Sequence, residues 1–478
     1  LAQLRVPTAS SVTLEVQASL PSTRPNSQTL CSSAGCEIDY AASGLLLQVP
    51  NLLAAKPTPA SISAVRASDN ALQCVPAFAD VDRQVQFTAT HVDPAAGSES
   101  VLVNGSSVGS SASSIDLHFD SNGTAPLQVR YDDAGLLNLS ATYSGNAANG
   151  DEGLVLNGAD QFVGKPYGLC LQTASTLSAS TDCSDASCAL FPGGIRAGDS
   201  FPLTIRAVGW ESDNEPLTAA QLCSGNITTA NFRLADIGLS STVVAPSNGD
   251  HGVVTPASYN HALGNATTST HSVSEVGVFT LTATPPTAGY LDGETVSGGS
   301  SGLVGRFIPA ALGAAGSASL SPSCGSAFSY QGQPMAFASG HQPTLTITAF
   351  GRAGNVTKNY DRGDFWRLPE PGVGGYSSVT GIAALDARLA SQGAASVQVQ
   401  GADDGDGQRS YRWRDEQLRY NPAVLPSSAD YPFMAKLQQA FAAAALTDQD
   451  GACHGNGAAC QGYAYDFTDA PGSQVRLG

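Results

Sequence analysis

Residues 132–143 read Asp-Asp-Ala-Gly-Leu-Leu-Asn-Leu-Ser-Ala-Thr-Tyr, and residues 274–285 read Ser-Glu-Val-Gly-Val-Phe-Thr-Leu-Thr-Ala-Thr-Pro. Both place an acidic residue, a spacer and a glycine ahead of an alternating run, with Leu137, Leu139 and Ala141 answering Phe279, Leu281 and Ala283. Strict alternation marks a strand that is buried on one face. The glycine supplies backbone freedom at the corner before it. In immunoglobulin-like sandwiches a corner of this kind precedes the penultimate strand. The pair therefore predicts two related β-sandwiches in one chain.

The flanking sequence has the same grammar. Val85–Thr90, Ile115–Phe119, Leu127–Tyr131, Phe201–Val208, Phe232–Leu239 and Pro343–Phe350 alternate. Val101-Leu102-Val103 runs into Asn104-Gly105, a strong hairpin signal. Leu45–Val49, Asn355–Tyr360 and Val397–Val399 read as further strand material. Residues 428–447 favour a helix by composition, although strand-like segments surround them, and the choice stays open. The expected fold class is all-β: tandem immunoglobulin-like β-sandwich modules with disulfides. The expected division is an N-terminal β segment at 1–66, sandwiches at 67–158 and 159–312, and a C-terminal β-domain at 313–478.

Composition narrows the function. The 478 residues carry only 13 % charged side chains and a formal net charge of −18. Phosphate binding needs clustered Lys and Arg, and the 22 present are scattered, so nucleic acid is not an expected partner. An anionic membrane surface is disfavoured on the same ground. No apolar run reaches the ~18 residues of a transmembrane helix. The chain opens on Leu1 without a signal peptide and reads as a mature or trimmed portion of a longer precursor. Ten cysteines, none in a CxxC arrangement, point to disulfides in an oxidising compartment. Cys31/Cys36, Cys183/Cys188 and Cys453/Cys460 are close enough to close small loops. Cys74, Cys170, Cys223 and Cys324 are candidates for longer bridges, with the pairing open.

No motif commits the chain to catalysis. Gly105–Gly109 and Gly298–Gly302 match GxSxG, but neither has the strand-then-helix context of a nucleophile elbow. His454 beside Cys453 and near Cys460 suits a disulfide loop better than a zinc site. Asp448 and Asp450, and Asp403, Asp404 and Asp406, stand in Asp-Gly turns and are candidate calcium ligands, because a hard cation needs several oxygens from one tight turn. No glutamate follows at the EF-hand distance, so a solvated turn is the plainer reading. Trp366, Trp413, Tyr411 and Tyr420 suit core anchors more than a sugar-binding platform. Six Asn-x-Ser/Thr sequons are weak signals in a chain this rich in Ser and Thr.

Several stretches occur in the order of one family. They include "AVRASDNALQCVPAF" (64–78), "LHFDSNGTAPLQVRYDDAGLLNLSATY" (117–143), "AGDSFPLTIRAV" (197–208), "VGRFIPA" (304–310), "LTITAFGRAGNVTKNYD" (345–361) and "LTDQDG" (446–451). Together they resemble the large domain of uncharacterised function in MshQ-like proteins, which are linked to the mannose-sensitive haemagglutinin type IV pilus. The resemblance covers roughly residues 40–478. It departs at Ile308–Ala311, and it implies a strand at Ala443–Leu446 and a further portion after Val475–Gly478. It implies a bacterial surface or extracellular location and supplies no catalytic residue. The expected function is thus a non-enzymatic pilus-associated structural or adhesive protein, at a pilus tip or fibre-forming. Its expected partners are pilus subunits, copies of itself, or surface glycans. The alternatives are a secreted carbohydrate-active or proteolytic enzyme with accessory β-domains, and a calcium-stabilised structural module.

Overall fold

The computed structural model describes residues 11–13, 37–39, 43–67, 74–173, 194–321, 328–337, 339, 341–379, 383–391, 396–414, 417–422, 433–441, 445–455, 459–466 and 475–477. The chain is all-β, a series of immunoglobulin-like sandwiches. Among the described residues no helix is long and apolar enough to cross a membrane.

The first sandwich pairs two sheets. One runs in the order Ser113–Phe119, Val81–Asp93, Gly135–Ser144, Val155–Lys165 and Leu52–Leu53; the other runs Ser43–Gln48, Thr58–Ala67, Thr124–Tyr131, Val101–Val103 and Ser106–Val108. The corner read in the sequence opens a central strand: Gly135–Ser144 buries every second residue between two antiparallel neighbours. Ile62, Phe87, Phe119, Val129 and Leu139 meet in the core. Strands 43–67 were expected in a separate N-terminal segment. They belong here, because Ile62 and Ala64 are fully buried and Thr58–Ser63 pairs with Thr124–Val129.

The second sandwich has the sheet Gly168–Thr173, Phe201–Val208, Thr267–Val273 and Val254–Thr255. It faces Ser258–His261, Leu234–Ala245 and Gly277–Thr284, with Gly299–Ser300 and Val304–Phe307 both on Gly277–Thr284. In the third module Ala311–Ser317, Thr344–Phe350, Gln408–Arg414 and Ser396–Gln400 form one sheet. Phe433–Phe441, which local composition assigned to a helix, is a strand between Val373–Val379 and the pair Tyr463–Asp466 and Val475–Leu477. Leu437 and Phe441 are buried at a spacing that a strand can place on one face. Tertiary pairing overrides helix propensity here. Asn355–Tyr360 is likewise no strand; it ends in the short 3-10 turn Lys358–Asp361.

Trp366, Trp413, Tyr411 and Tyr420 are all buried, with Trp366 Nε1 donating to the Tyr411 hydroxyl at 3.0 Å. Cys170 bridges Cys223 across 53 residues, and Cys453 bridges Cys460. By loop-closure entropy a bridge of the first span is worth about 4 kcal/mol. Cys74, a candidate for a long-range bridge, is exposed and free at the edge of the first sandwich. Cys31, Cys36, Cys183, Cys188 and Cys324 lie outside the described residues.

Candidate functional site: two module junctions built alike

The two acidic corners do more than turn the chain. Asp133 is 4 % exposed and takes two backbone donors on Oδ1, Ala134 N at 2.7 Å and Asn231 N at 2.9 Å. Asn231 belongs to the second module. Glu275 is 6 % exposed and repeats the arrangement one module further on: Oε2 accepts from Val276 N at 3.2 Å and from Asn359 N, in the third module, at 3.3 Å. The extra methylene of glutamate lets Oε1 take a further donor, Lys358 N at 3.1 Å. Burial raises both carboxyls above the usual range, and the backbone donors pull them back.

The surrounding backbone is duplicated bond for bond. Ala54 N donates to Lys165 O, and Ala197 N to Ile308 O, each at 2.8 Å. Ala55 N reaches Tyr131 O at 2.8 Å, and Gly198 N reaches Val273 O at 2.7 Å. Trp210 N returns to Ala54 O at 2.8 Å, and Arg352 N to Ala197 O at 2.9 Å. Thr229 N donates to Ala207 O and Thr357 N to Ala349 O, both at 2.9 Å. A buried hydroxyl without a partner among the described residues recurs at Thr229 and Thr357. Even the turns facing the corners correspond: each starts at a cis proline, Pro94 or Pro246, and closes by Gly97 N to Pro94 O or Gly249 N to Pro246 O. Gly135 (φ +141°) and Gly277 (φ +129°) lie so close that an added Cβ would stand 2.6 Å from Asp93 O or 2.3 Å from Ala245 O. No L side chain fits there.

The sequence showed the accepting half of this device, the acidic corners, and hid the donating half. Thr229-Ala230-Asn231-Phe232 and Thr357-Lys358-Asn359-Tyr360 share Thr-x-Asn-aromatic, each after a strand whose penultimate residue is Ala207 or Ala349. Loops of unequal length separate strand from motif, which breaks the register a repeat search would follow.

The candidate calcium ligands separate into two groups. Asp448 accepts from Tyr360 Oη at 2.8 Å, Ala452 N at 2.7 Å and Asp450 N at 3.0 Å. Asp450 grips the Arg306 guanidinium with both oxygens, at 2.7 and 3.2 Å. That turn braces the second junction, its carboxylates already engaged by protein donors. The other turn gains a ligand the sequence did not offer: Asp361, Asp404 and Asp406 bring carboxylate oxygens within 4.8 Å of one another. Asp361 is fully buried, and burial pushes it up to about 6 although Arg409 Nε stands 2.7 Å away. Asp403 faces elsewhere, accepting from Gly363 N at 2.6 Å.

Neither GxSxG segment forms a nucleophile elbow. Ser107 sits mid-strand in a hairpin, Val101–Val103 to Ser106–Val108, and Ser300 sits in the strand Gly299–Ser300. His454 Nδ1 lies 3.2 Å from Leu312 O, and Cys453 and Cys460 are consumed by their disulfide.

Three family models match the chain in succession. Residues 26–159 match Domain of unknown function (DUF6701), first Ig-like domain; 165–272 match its second domain and 275–468 its third. No curated protein matches the sequence. Among solved structures, invasin, a bacterial integrin-binding protein, is 12 % identical with a TM-score of 0.26, over 84 % of this chain. The chain spans 57 % of that structure's length. InvD of Yersinia pseudotuberculosis is 12 % identical over 89 % of this chain and 97 % of its own, with a TM-score of 0.23. The Salmonella enterica SafA pilin in complex with the SafB chaperone gives 12 %, 59 %, 99 % and 0.17 in the same measures. The chain belongs to the DUF6701 family, carrying its first, second and third domains in order.

Proposed function

We propose that the chain is a non-enzymatic structural or adhesive array at the bacterial surface, associated with a pilus. One observation carries this reading: both junctions are locked by the same backbone bonds and the same buried carboxylate. A protein that only needed linked modules could use flexible linkers. Fixing each module on the last holds loops at a set distance and orientation, which suits a scaffold that presents binding loops. The disulfides and the acidic, lysine-poor composition suit an oxidising, extracellular setting.

The test is shear fractionation of the producing cells, with and without their major pilin, read by mass spectrometry. Release with filaments only when pilin is present supports the pilus role. Release with filaments in both strains points to a fibre of its own. Retention on the cell body in both strains removes the pilus association.

A second reading has a specific observation behind it. Asp361, Asp404 and Asp406 crowd three carboxylates around one point with Arg409 as the close cation. A calcium ion there would relieve their repulsion. Melting the protein in calcium and then in chelator tests it; coincident melting curves would remove the site.

A further inference from the structure

The turn after each cis proline lies beside a cavity, and the two cavities differ in a way the fold does not require. At the first junction the space is about 80 Å³. Leu234, Tyr290 and Leu291 fill it, and an ion pair closes it, Arg233 to Asp93 at 2.6 Å. At the second junction the equivalent space opens to about 320 Å³. That reaches the roughly 300–1,000 Å³ of small-ligand sites.

The lining changes to match. Because Asn231 corresponds to Asn359, the plugging Leu234 corresponds to Arg362 and the closing Arg233 to Asp361, which pairs inward with Arg409. Asp93 becomes Ala245, so no ion pair can form across the mouth. In the matched turns Ala95-Ala96 becomes Ser247-Asn248. Methyl groups are thus replaced by hydrogen-bonding groups where the backbone bond is unchanged. The side chains of Ser247, Asn248, Arg362 and Asp364 make no hydrogen bond to any described residue. Phe365 and Pro246 supply the apolar part of the wall.

We propose that this cavity is a binding site for an uncharged pyranose sugar. A sugar ring presents hydroxyls that both donate and accept, plus an apolar face. The unpaired groups supply the hydrogen bonds, with donors on Arg362 and Asn248, a carboxylate acceptor on Asp364 and a hydroxyl on Ser247, while the buried Phe365 and Pro246 give the cavity an apolar floor for the C–H face of a ring. An anionic ligand would meet Asp364 and Asp403, and a cationic one Arg362. The site deepens the adhesive reading and rests on it for its biological sense, but not for its test.

The experiment titrates the purified full chain with methyl glucopyranoside, methyl galactopyranoside and N-acetylglucosamine, using saturation-transfer NMR. N-acetylneuraminic acid and glucosamine serve as charged counter-probes. The expected result is saturable binding of a neutral sugar, with a dissociation constant on the order of 1 mM. It should weaken at least ~10-fold in the double variant Ser247→Ala/Asn248→Gly and in Asp364→Asn, a step of one decade or more. Glycine at 248 keeps the left-handed backbone (φ +59°), and an unchanged melting temperature shows that the fold survives. No binding of any neutral sugar, binding indifferent to both variants, or preference for either charged probe overturns the proposal. Such a failure leaves the surface role standing, since shear fractionation tests that separately.

Discussion

At the first junction Lys165 reaches Glu294 at 2.6 Å with both side chains 23 % exposed; at the second, Arg306 reaches Asp450 at 2.7 Å with 6 % and 8 % exposed. The backbone frame is common to both, so the contrast isolates what side chains add. The first junction is trimmed by ion pairs at its rim, Lys56–Asp213 and Arg233–Asp93 among them. The second has rim pairs too, Arg352–Asp199 and Lys358–Asp250, but also carries a charged pair and an amide inside. Asn359 is fully buried with its amide donating to Asp250 O and Val276 O and accepting from Asp250 N. Rim charges tolerate rearrangement, whereas buried ones require one geometry, because an unpaired buried charge is costly. The second junction is therefore the stiffer of the two.

Removing Arg306 is the severest way to break the comparison. Arg306→Ala leaves Asp450 buried, with Arg367 Nε at 3.7 Å as its remaining cation. The expected loss is about 3–5 kcal/mol, read as a shift in the urea midpoint of the transition that exposes the third module. A loss below 1 kcal/mol would mean that water reaches Asp450 and that the two junctions are equally soft.

The carboxylate corners come next. Asp133→Ala strands two backbone N–H groups and Glu275→Ala strands three. Each should cost about 1–3 kcal/mol, with Glu275 the larger. Limited proteolysis of the linker region follows whether each module loosens from its neighbour. Equal effects would show that the third donor, Lys358 N, adds nothing.

Acid should separate the junctions in a third way. Burial depresses His261 to about 4 and also lowers His271. The unfolded chain then binds more protons than the native one between about pH 6.5 and 4, so stability is full above that window and falls as pH drops through it. For His261 alone the loss between pH 7.5 and 5.5 is about 1 kcal/mol. His261 packs against Phe232, the neighbour of Asn231, with ring centroids 5.2 Å apart. At the second junction the corresponding Tyr360 packs on Trp366 at 5.0 Å. Amide exchange against pH should therefore show the first junction's donating segment, around Asn231, opening before the second's, around Asn359. A His261→Phe variant that keeps the acid sensitivity would reassign it to other groups.

What could be read from the sequence followed from local rules. The alternation in Gly135–Ser144 and Gly277–Thr284 is set by burial on one face, so both strands were visible. The Asn104-Gly105 hairpin was visible because few residues accept that turn. Phe433–Phe441 stays ambiguous in the sequence because its Ala, Leu and Gln residues favour helix in isolation and only its partners make it a strand. Asp361 was missed as a neighbour of Asp404 and Asp406 because more than forty residues separate them in the chain. Asp448 and Asp450 look like ligands in sequence, since nothing local announces that Tyr360 and Arg306 will arrive to use their oxygens.

The smallest expected effect is the most discriminating about the rim. Lys165 donates to Glu294 Oε2 at 2.6 Å and to Thr295 O at 3.1 Å, and Asn51 donates to Glu294 Oε1 at 2.7 Å. The pair lowers the Glu294 carboxyl, chiefly through the Lys165 hydrogen bond. Yet both groups touch solvent, and water replaces most of what each would lose. Lys165→Ala should cost about 0–1 kcal/mol, and the difference should shrink further in about 1 M salt, where the screening length is near 3 Å. Arg306→Ala should be nearly indifferent to the same salt, because its partner is buried. If Lys165→Ala instead proved as costly as Arg306→Ala and equally insensitive to salt, the rim pairs would be structural locks, and the first junction would have to be counted as stiff as the second.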